Sequence, residues 1–144
     1  MAMTRRTSVV LVDDEPCVVR IVQAVLSRNL GSEVDIFSTT DSEEARNYIS
    51  KRRCDILLSD MEMPGVHGIE MLKLARKYNA WTRVVFMTAH STWDRIGEAI
   101  EHGAADYLLK PVDHDQLISV VQQERDRLAR WQRAVRGSLK VAAI

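Results

Sequence analysis

The sequence predicts an α/β fold in three layers, a doubly wound sandwich in which helices cover both faces of a parallel five-stranded sheet. Two observations predict it. Short runs rich in β-branched residues alternate with segments of helical period along almost the whole chain, the pattern of repeated βα units. The central runs 55–59 and 83–87 are nearly continuous in apolar residues, as strands are when helices cover both of their faces.

The elements follow in order. The first run, 8–12, enters a helical segment at 15–29, with Pro16 where the first turn has no use for its missing N–H. The second, 33–37, comes after Gly31 and leads to a helix at 41–51, which Asp41 can cap with Glu44 three residues on. The third run, 55–59, precedes a helix at 68–78. The fourth, 83–87, precedes one at 92–102 that Gly103 closes. The fifth run, 106–109, is followed by a long helical stretch at 113–136. In each helical segment apolar residues recur at i, i+3 and i+4 spacing.

Bulk properties exclude several classes of function. At 144 residues the chain has room for one domain and a real core but not for a second full domain. Lys plus Arg equal Asp plus Glu at 20 each, so no overall basic field draws the chain to nucleic acid. The apolar run 8–12 is too short for a leader segment and runs straight into Asp13-Asp14-Glu15, and no stretch is long enough to cross a bilayer. A cytoplasmic protein with no membrane contact is expected. Cys17 and Cys54 have no metal or disulfide spacing and read as small buried apolar residues. His67, His90, His102 and His114 are scattered and read as loop and helix-end residues. Trp81, Trp93 and Trp131 read as packing or interface residues.

In open α/β sheets the ligand site lies beyond the carboxyl ends of the strands. Here those ends carry Asp13-Asp14, Asp60, Thr88 and Lys110-Pro111. Clustered carboxylates repel one another unless a cation neutralises them. Hard oxygen donors with no Cys or His nearby favour Mg²⁺, which takes few carboxylates and binds phosphate oxygens in its remaining positions. Lys110 can reach a phosphate or its acceptor, and Thr88 can donate to a phosphoryl oxygen. Asp60, alone at its strand end after Leu57-Leu58, is the natural carboxylate acceptor. Taken one at a time these residues also have bland readings: Asp13-Asp14 as a helix cap, Asp60 as a turn residue, Thr88 and Tyr107 as strand packing, Lys110 as a solvated turn lysine.

Four motifs in this order resemble the receiver domain of two-component response regulators, a chemotaxis-regulator-like family. They are Val10-Leu11-Val12-Asp13-Asp14-Glu15-Pro16, Leu57-Leu58-Ser59-Asp60-Met61-Glu62-Met63-Pro64-Gly65, Phe86-Met87-Thr88-Ala89 and Gly103-Ala104-Ala105-Asp106-Tyr107-Leu108-Leu109-Lys110-Pro111. The resemblance implies a flavodoxin-like strand order 2-1-3-4-5. It implies that Asp60 is the phosphoacceptor and that Asp13, Asp14, Asp60 and the backbone carbonyl of Glu62 hold Mg²⁺. Lys110 would pair with the acceptor across a cis Lys110-Pro111 bond, and Thr88 and Tyr107 would be the switch residues. A sensor histidine kinase or phosphotransfer protein would supply the phosphoryl group, and the face of the fourth helix, fifth strand and fifth helix would change its partners. His67 stands where an acid or amide is frequent, while Glu62 and His90 occupy positions that tune water access to the acyl phosphate.

Two other functions fit parts of the pattern. An aspartyl-nucleophile phosphatase resembling the haloacid-dehalogenase class uses Asp, Thr and Lys on a similar sheet, but it places its nucleophile early in an Asp-x-Asp motif. A receiver-like module that no longer accepts phosphate would lack some of the key side chains, and here all are present. The division expected is a receiver domain at 1–123 and an extended helix and tail at 124–144. In that segment Leu128, Trp131 and Val135 continue an apolar seam with arginines on the other faces, as in a linker or homodimer coil. An output domain or partner protein is expected outside this chain.

Overall fold

The computed structural model describes residues 5–89 and 92–142, with side chains through 139. Five parallel strands, β1 (Thr7–Val12), β2 (Val34–Thr39), β3 (Ile56–Asp60), β6 (Arg83–Thr88) and β7 (Asp106–Leu109), form one sheet in the order β2-β1-β3-β6-β7. Between β3 and β6 lies a two-residue hairpin that the sequence did not announce, β4 (Glu62–Met63) with β5 (Val66–His67). With those two short strands set aside, the order is the expected 2-1-3-4-5. Five helices complete the fold: α1 (Pro16–Leu30), α2 (Ser42–Lys51), α3 (Gly68–Tyr78), α4 (Trp93–Glu101) and α5 (His114–Ala142).

Strand parity sorts the core into two layers, because successive side chains leave opposite faces of a sheet. Val9, Leu11, Leu58, Val85 and Leu108 pack against Val22, Leu26 and Leu30 of α1 and Leu117, Val121 and Leu128 of α5. Val10, Leu57, Val84 and Phe86 meet Ile49 of α2, Met71 and Leu72 of α3 and Ala99 of α4. This is the three-layer sandwich that the unbroken apolar runs required.

Local chemistry sets the helix ends. Pro16 opens α1, Asp41 caps α2 by accepting from the Glu43 amide, and Thr92 caps α4 by accepting from the Arg95 amide. Helix α5 is longer than expected, reaching Ala142 rather than residue 136. It packs on the body through Leu128, after which Trp131, Val135 and Leu139 are exposed. Trp131 also lines a shallow groove with Trp81, Arg83 and Leu128.

The reading of one cysteine needs correction. Cys17 is exposed, not buried. The buried stripe of α1 runs through Val19, Val22, Leu26 and Leu30, and at 3.6 residues per turn position 17 falls on the opposite side of the helix. Of the two roles expected for Trp93, packing or interface, its 92% exposure at the first turn of α4 leaves the interface one.

Candidate functional site

Register brings the strand ends together. Val12 pairs with Ser59, and Asp60 pairs with Met87, so Asp13 and Asp60 lie side by side at the carboxyl edge. Thr88 pairs with Leu109, and the Lys110 amide donates to the Thr88 carbonyl at 2.8 Å, which sets Lys110 beyond the same edge. The Lys110-Pro111 peptide is cis.

Lys110 is the hub. Its Nζ lies 2.7 Å from Asp13 Oδ2, 3.0 Å from Glu15 Oε1 and 3.3 Å from Asp60 Oδ2. The other oxygens are held by backbone: the Glu15 amide donates to Asp13 Oδ1 at 2.9 Å, and the Glu62 amide donates to Asp60 Oδ1 at 3.1 Å. Lys110 is the one charged partner of the wholly buried Asp13 Oδ2 among the described residues. Asp13, Asp14, Glu15 and Asp60 offer carboxylate oxygens all within 4.8 Å of one another.

Such crowding moves the titrations. Burial pushes the Asp60 carboxyl up to about 6, the Asp13 charge adding to the shift and Lys110 opposing it. Asp13 is raised as well, by burial first, against Lys110 and the Glu15 amide. Burial by itself would lower Lys110, but its contacts with Asp13 and Glu15 and the charges of Asp13 and Asp60 carry it above the usual lysine range. Among the described residues the cluster consists of four carboxylates against the single ammonium of Lys110, a set of hard oxygen donors that fits a small divalent cation.

The hairpin shapes the rim beside Asp60. Gly65 turns it with φ +85, a conformation that disfavours side chains with a Cβ. Gly68 opens α3 where a Cβ would meet Met61 Cα at 2.7 Å and the Phe86 ring at 2.9 Å. His67 caps α3, its Nδ1 accepting from the Ile69 amide at 3.2 Å.

Thr88 is buried, and Tyr107 is half-buried beside it. Parity puts both on the α4 side of the sheet, with Val84 and Phe86. Burial raises the Tyr107 phenol, while a hydrogen bond with Thr88 and the charge of Arg95 pull it down. The structure thus gathers Asp13, Asp14, Asp60, Thr88, Tyr107 and Lys110 at one edge and adds two groups that sequence reasoning had not assigned. Glu15 joins the lysine cluster; its place in the run Asp13-Asp14-Glu15 was the available signal. Arg95 forms an ion pair with the Glu62 side chain, which no local pattern could announce. His90 lies outside the described residues.

Residues 9–122 match the response regulator receiver domain among protein-family models. The chain is 31% identical over 119 residues to the DNA-binding transcriptional regulator NtrC of Escherichia coli (strain K12), covering 83% of this chain and 25% of that protein. It is 29% identical over 141 residues to the alginate biosynthesis transcriptional regulatory protein AlgB of Pseudomonas putida, covering 96% of this chain and 31% of the relative. The chain therefore spans about a quarter to a third of these curated relatives. Among solved structures, the receiver domain of Francisella response regulator 1452 is similar at TM-score 0.75 and 30% identity, covering 85% of this chain and 98% of that one. A CheY-like receiver domain protein from Methanospirillum hungatei superposes with TM-score 0.80 at 18% identity, covering 88% and 98%, a likeness of fold.

Proposed function

Because the chain belongs to the response regulator receiver family, we propose that it is a phosphoacceptor switch in which Asp60 takes a phosphoryl group from a sensor histidine kinase or phosphotransfer protein. One observation carries this reading. Asp60 Oδ2 faces Lys110 at 3.3 Å within a cluster in which Asp13, Asp14, Glu15 and Asp60 crowd their carboxylates around that one ammonium, an arrangement suited to one cation and one phosphoryl group together.

Asp13, Asp14, Asp60 and the Glu62 carbonyl would hold Mg²⁺, which when bound neutralises phosphoryl oxygens during transfer. An Asp60 carboxylate oxygen bonds to phosphorus as phosphorus separates from the donor's imidazole nitrogen or carboxylate oxygen. Lys110 then offers its ammonium to the new phosphoryl oxygens, and Thr88 its hydroxyl. Movement of Thr88 opens space into which Tyr107 can turn, and the surface of α4, β7 and α5 changes its partners. Family membership favours this regulatory role over an aspartyl-nucleophile phosphatase. Among the described residues no helix is long and apolar enough to cross a membrane, in keeping with action in the cytoplasm.

Acetyl phosphate with Mg²⁺ adds one phosphoryl mass to the intact protein, and Asp60→Asn abolishes the addition. Undiminished labelling of that variant overturns the assignment. Labelling that is equally fast without divalent metal removes the role of Asp13 and Asp14.

The distal part of α5 is proposed as a linker or homodimer segment joining an output domain outside this chain. Its support is the exposed apolar series Trp131, Val135 and Leu139, at 59%, 40% and 65% exposure.

A further inference from the structure

We infer that Arg95 is a phosphate-responsive arm joining the acceptor loop to α4, a relay separate from Thr88 and Tyr107. It rests on the phosphoacceptor reading of Asp60 above and names how that site is coupled to one helix.

Three observations place Arg95. Glu62 is tied to the acceptor, its amide donating to Asp60 Oδ1 at 3.1 Å, and its carboxylate pairs with the Arg95 guanidinium. The Arg95 amide in turn donates to Thr92 Oγ1 at 3.3 Å, the cap of α4, so a pull on the Arg95 side chain acts on the start of the helix. Finally, α4 is the helix least anchored by apolar burial. Ala99 is its single buried residue, whereas α1 buries Val19, Val22, Val25, Leu26 and Leu30. Trp93 and Ile100 of α4 stand exposed. Elements with few buried contacts open and shift most readily, and the first turn of α4 is held by the Thr92 cap, the Ile96 amide on the Thr92 carbonyl and the Arg95–Glu62 ion pair rather than by a buried apolar residue.

Phosphorylation changes the charge that Arg95 meets. Before it, the guanidinium faces the single negative charge of Glu62. Afterwards an acyl phosphate stands two residues away from Glu62 in sequence, with more negative charge and several acceptor oxygens. A planar guanidinium binds such a group through two parallel N–H donors. Arg95 therefore exchanges Glu62 for the phosphoryl group and draws the first turn of α4 toward the site.

Amide NMR on the full chain tests this, using residues 92–97 as reporters and beryllium fluoride with Mg²⁺ as the phosphoryl mimic. In the wild type those resonances shift on addition. In Arg95→Gln most of that shift is lost when the two proteins are compared at equal occupancy by the mimic. Glu62→Gln, which releases Arg95 beforehand, moves the resonances of the untreated protein part of the way toward the treated positions, and Arg95→Lys restores only part of the response. An undiminished shift in Arg95→Gln overturns the relay alone, as does a Glu62→Gln spectrum unchanged at residues 92–97. Absence of any phosphoryl mass on the wild type overturns the phosphoacceptor reading and the relay with it.

Discussion

Replacing Asp60 by Asn is expected to stabilise the metal-free protein at neutral pH, because the site gathers like charges that folding must hold together. The Asp60 carboxyl rises from 3.8 to about 6 on folding. The folded state therefore holds that proton over a pH range in which the unfolded chain has lost it, and stability falls as pH rises through the window between about 4 and about 6. A shift of this size corresponds to about 3 kcal/mol. Asn keeps an oxygen for the Glu62 amide and removes the charge, and Lys110 retains Asp13 at 2.7 Å and Glu15 at 3.0 Å. The gain should thus be near zero at pH 4, complete above pH 6 and no more than about 3 kcal/mol, a rise of about 10 °C in midpoint for a domain of this size. Urea unfolding of both proteins at pH 4 and pH 7.5, without metal and at saturating Mg²⁺, measures it. Added Mg²⁺ should shrink the difference, since it binds the wild-type folded state. A variant no more stable than wild type at pH 7.5, or one stabilised equally at pH 4, refutes the reasoning.

Other perturbations have equally definite outcomes. Thr88→Ala should leave phosphorylation by acetyl phosphate largely intact but uncouple the Tyr107 ring, whose NMR signals should then respond less to phosphorylation than in the wild type. Gly68→Ala should destabilise the protein by about 1–3 kcal/mol, since its Cβ would press on Met61 Cα at 2.7 Å, and should slow labelling of Asp60 by displacing the acceptor loop; denaturant melts and intact mass read the two effects. Trp131→Ala should shift a concentration- or phosphorylation-favoured dimer toward monomer in sedimentation, and identical monomers for both proteins under all conditions would leave only the linker role or the fold-back of Trp131 on Trp81.

The parts of the fold that depend on periodicity were legible in the residues. Alternation of apolar runs with helical stretches located all five main strands and all five helices to within a few positions, apart from the far end of α5. The carboxyl-end rule then put Asp13, Asp60, Thr88 and Lys110 at one edge before any register was known. What escaped depends on geometry without period. The hairpin β4-β5 has two residues in each strand, too few for alternation to show. Cys17 was misread because an apolar segment does not reveal which side of a helix one residue takes; the stripe of Val19, Val22 and Leu26 decides that. The Glu62–Arg95 pair joins residues far apart in sequence, each of which alone reads as a solvated charge.

The two faces of the sheet differ in what a charge at Asp60 can move. On one face α1 and α5 share a continuous apolar layer with the strands, and the buried Glu124 accepts from Arg83 Nε at 3.1 Å, pinning α5 to the start of β6. Breaking a buried pair of this kind is strongly destabilising, so that face resists displacement. On the other face α4 buries only Ala99. Thr88 and Tyr107 point to this second side by strand parity, and Glu62 meets Arg95 there as well. Both routes proposed from Asp60 therefore end on the helix with the weakest apolar hold. A local gain of charge at Asp60 can be answered by moving α4 while α1, α5 and the sheet stay packed.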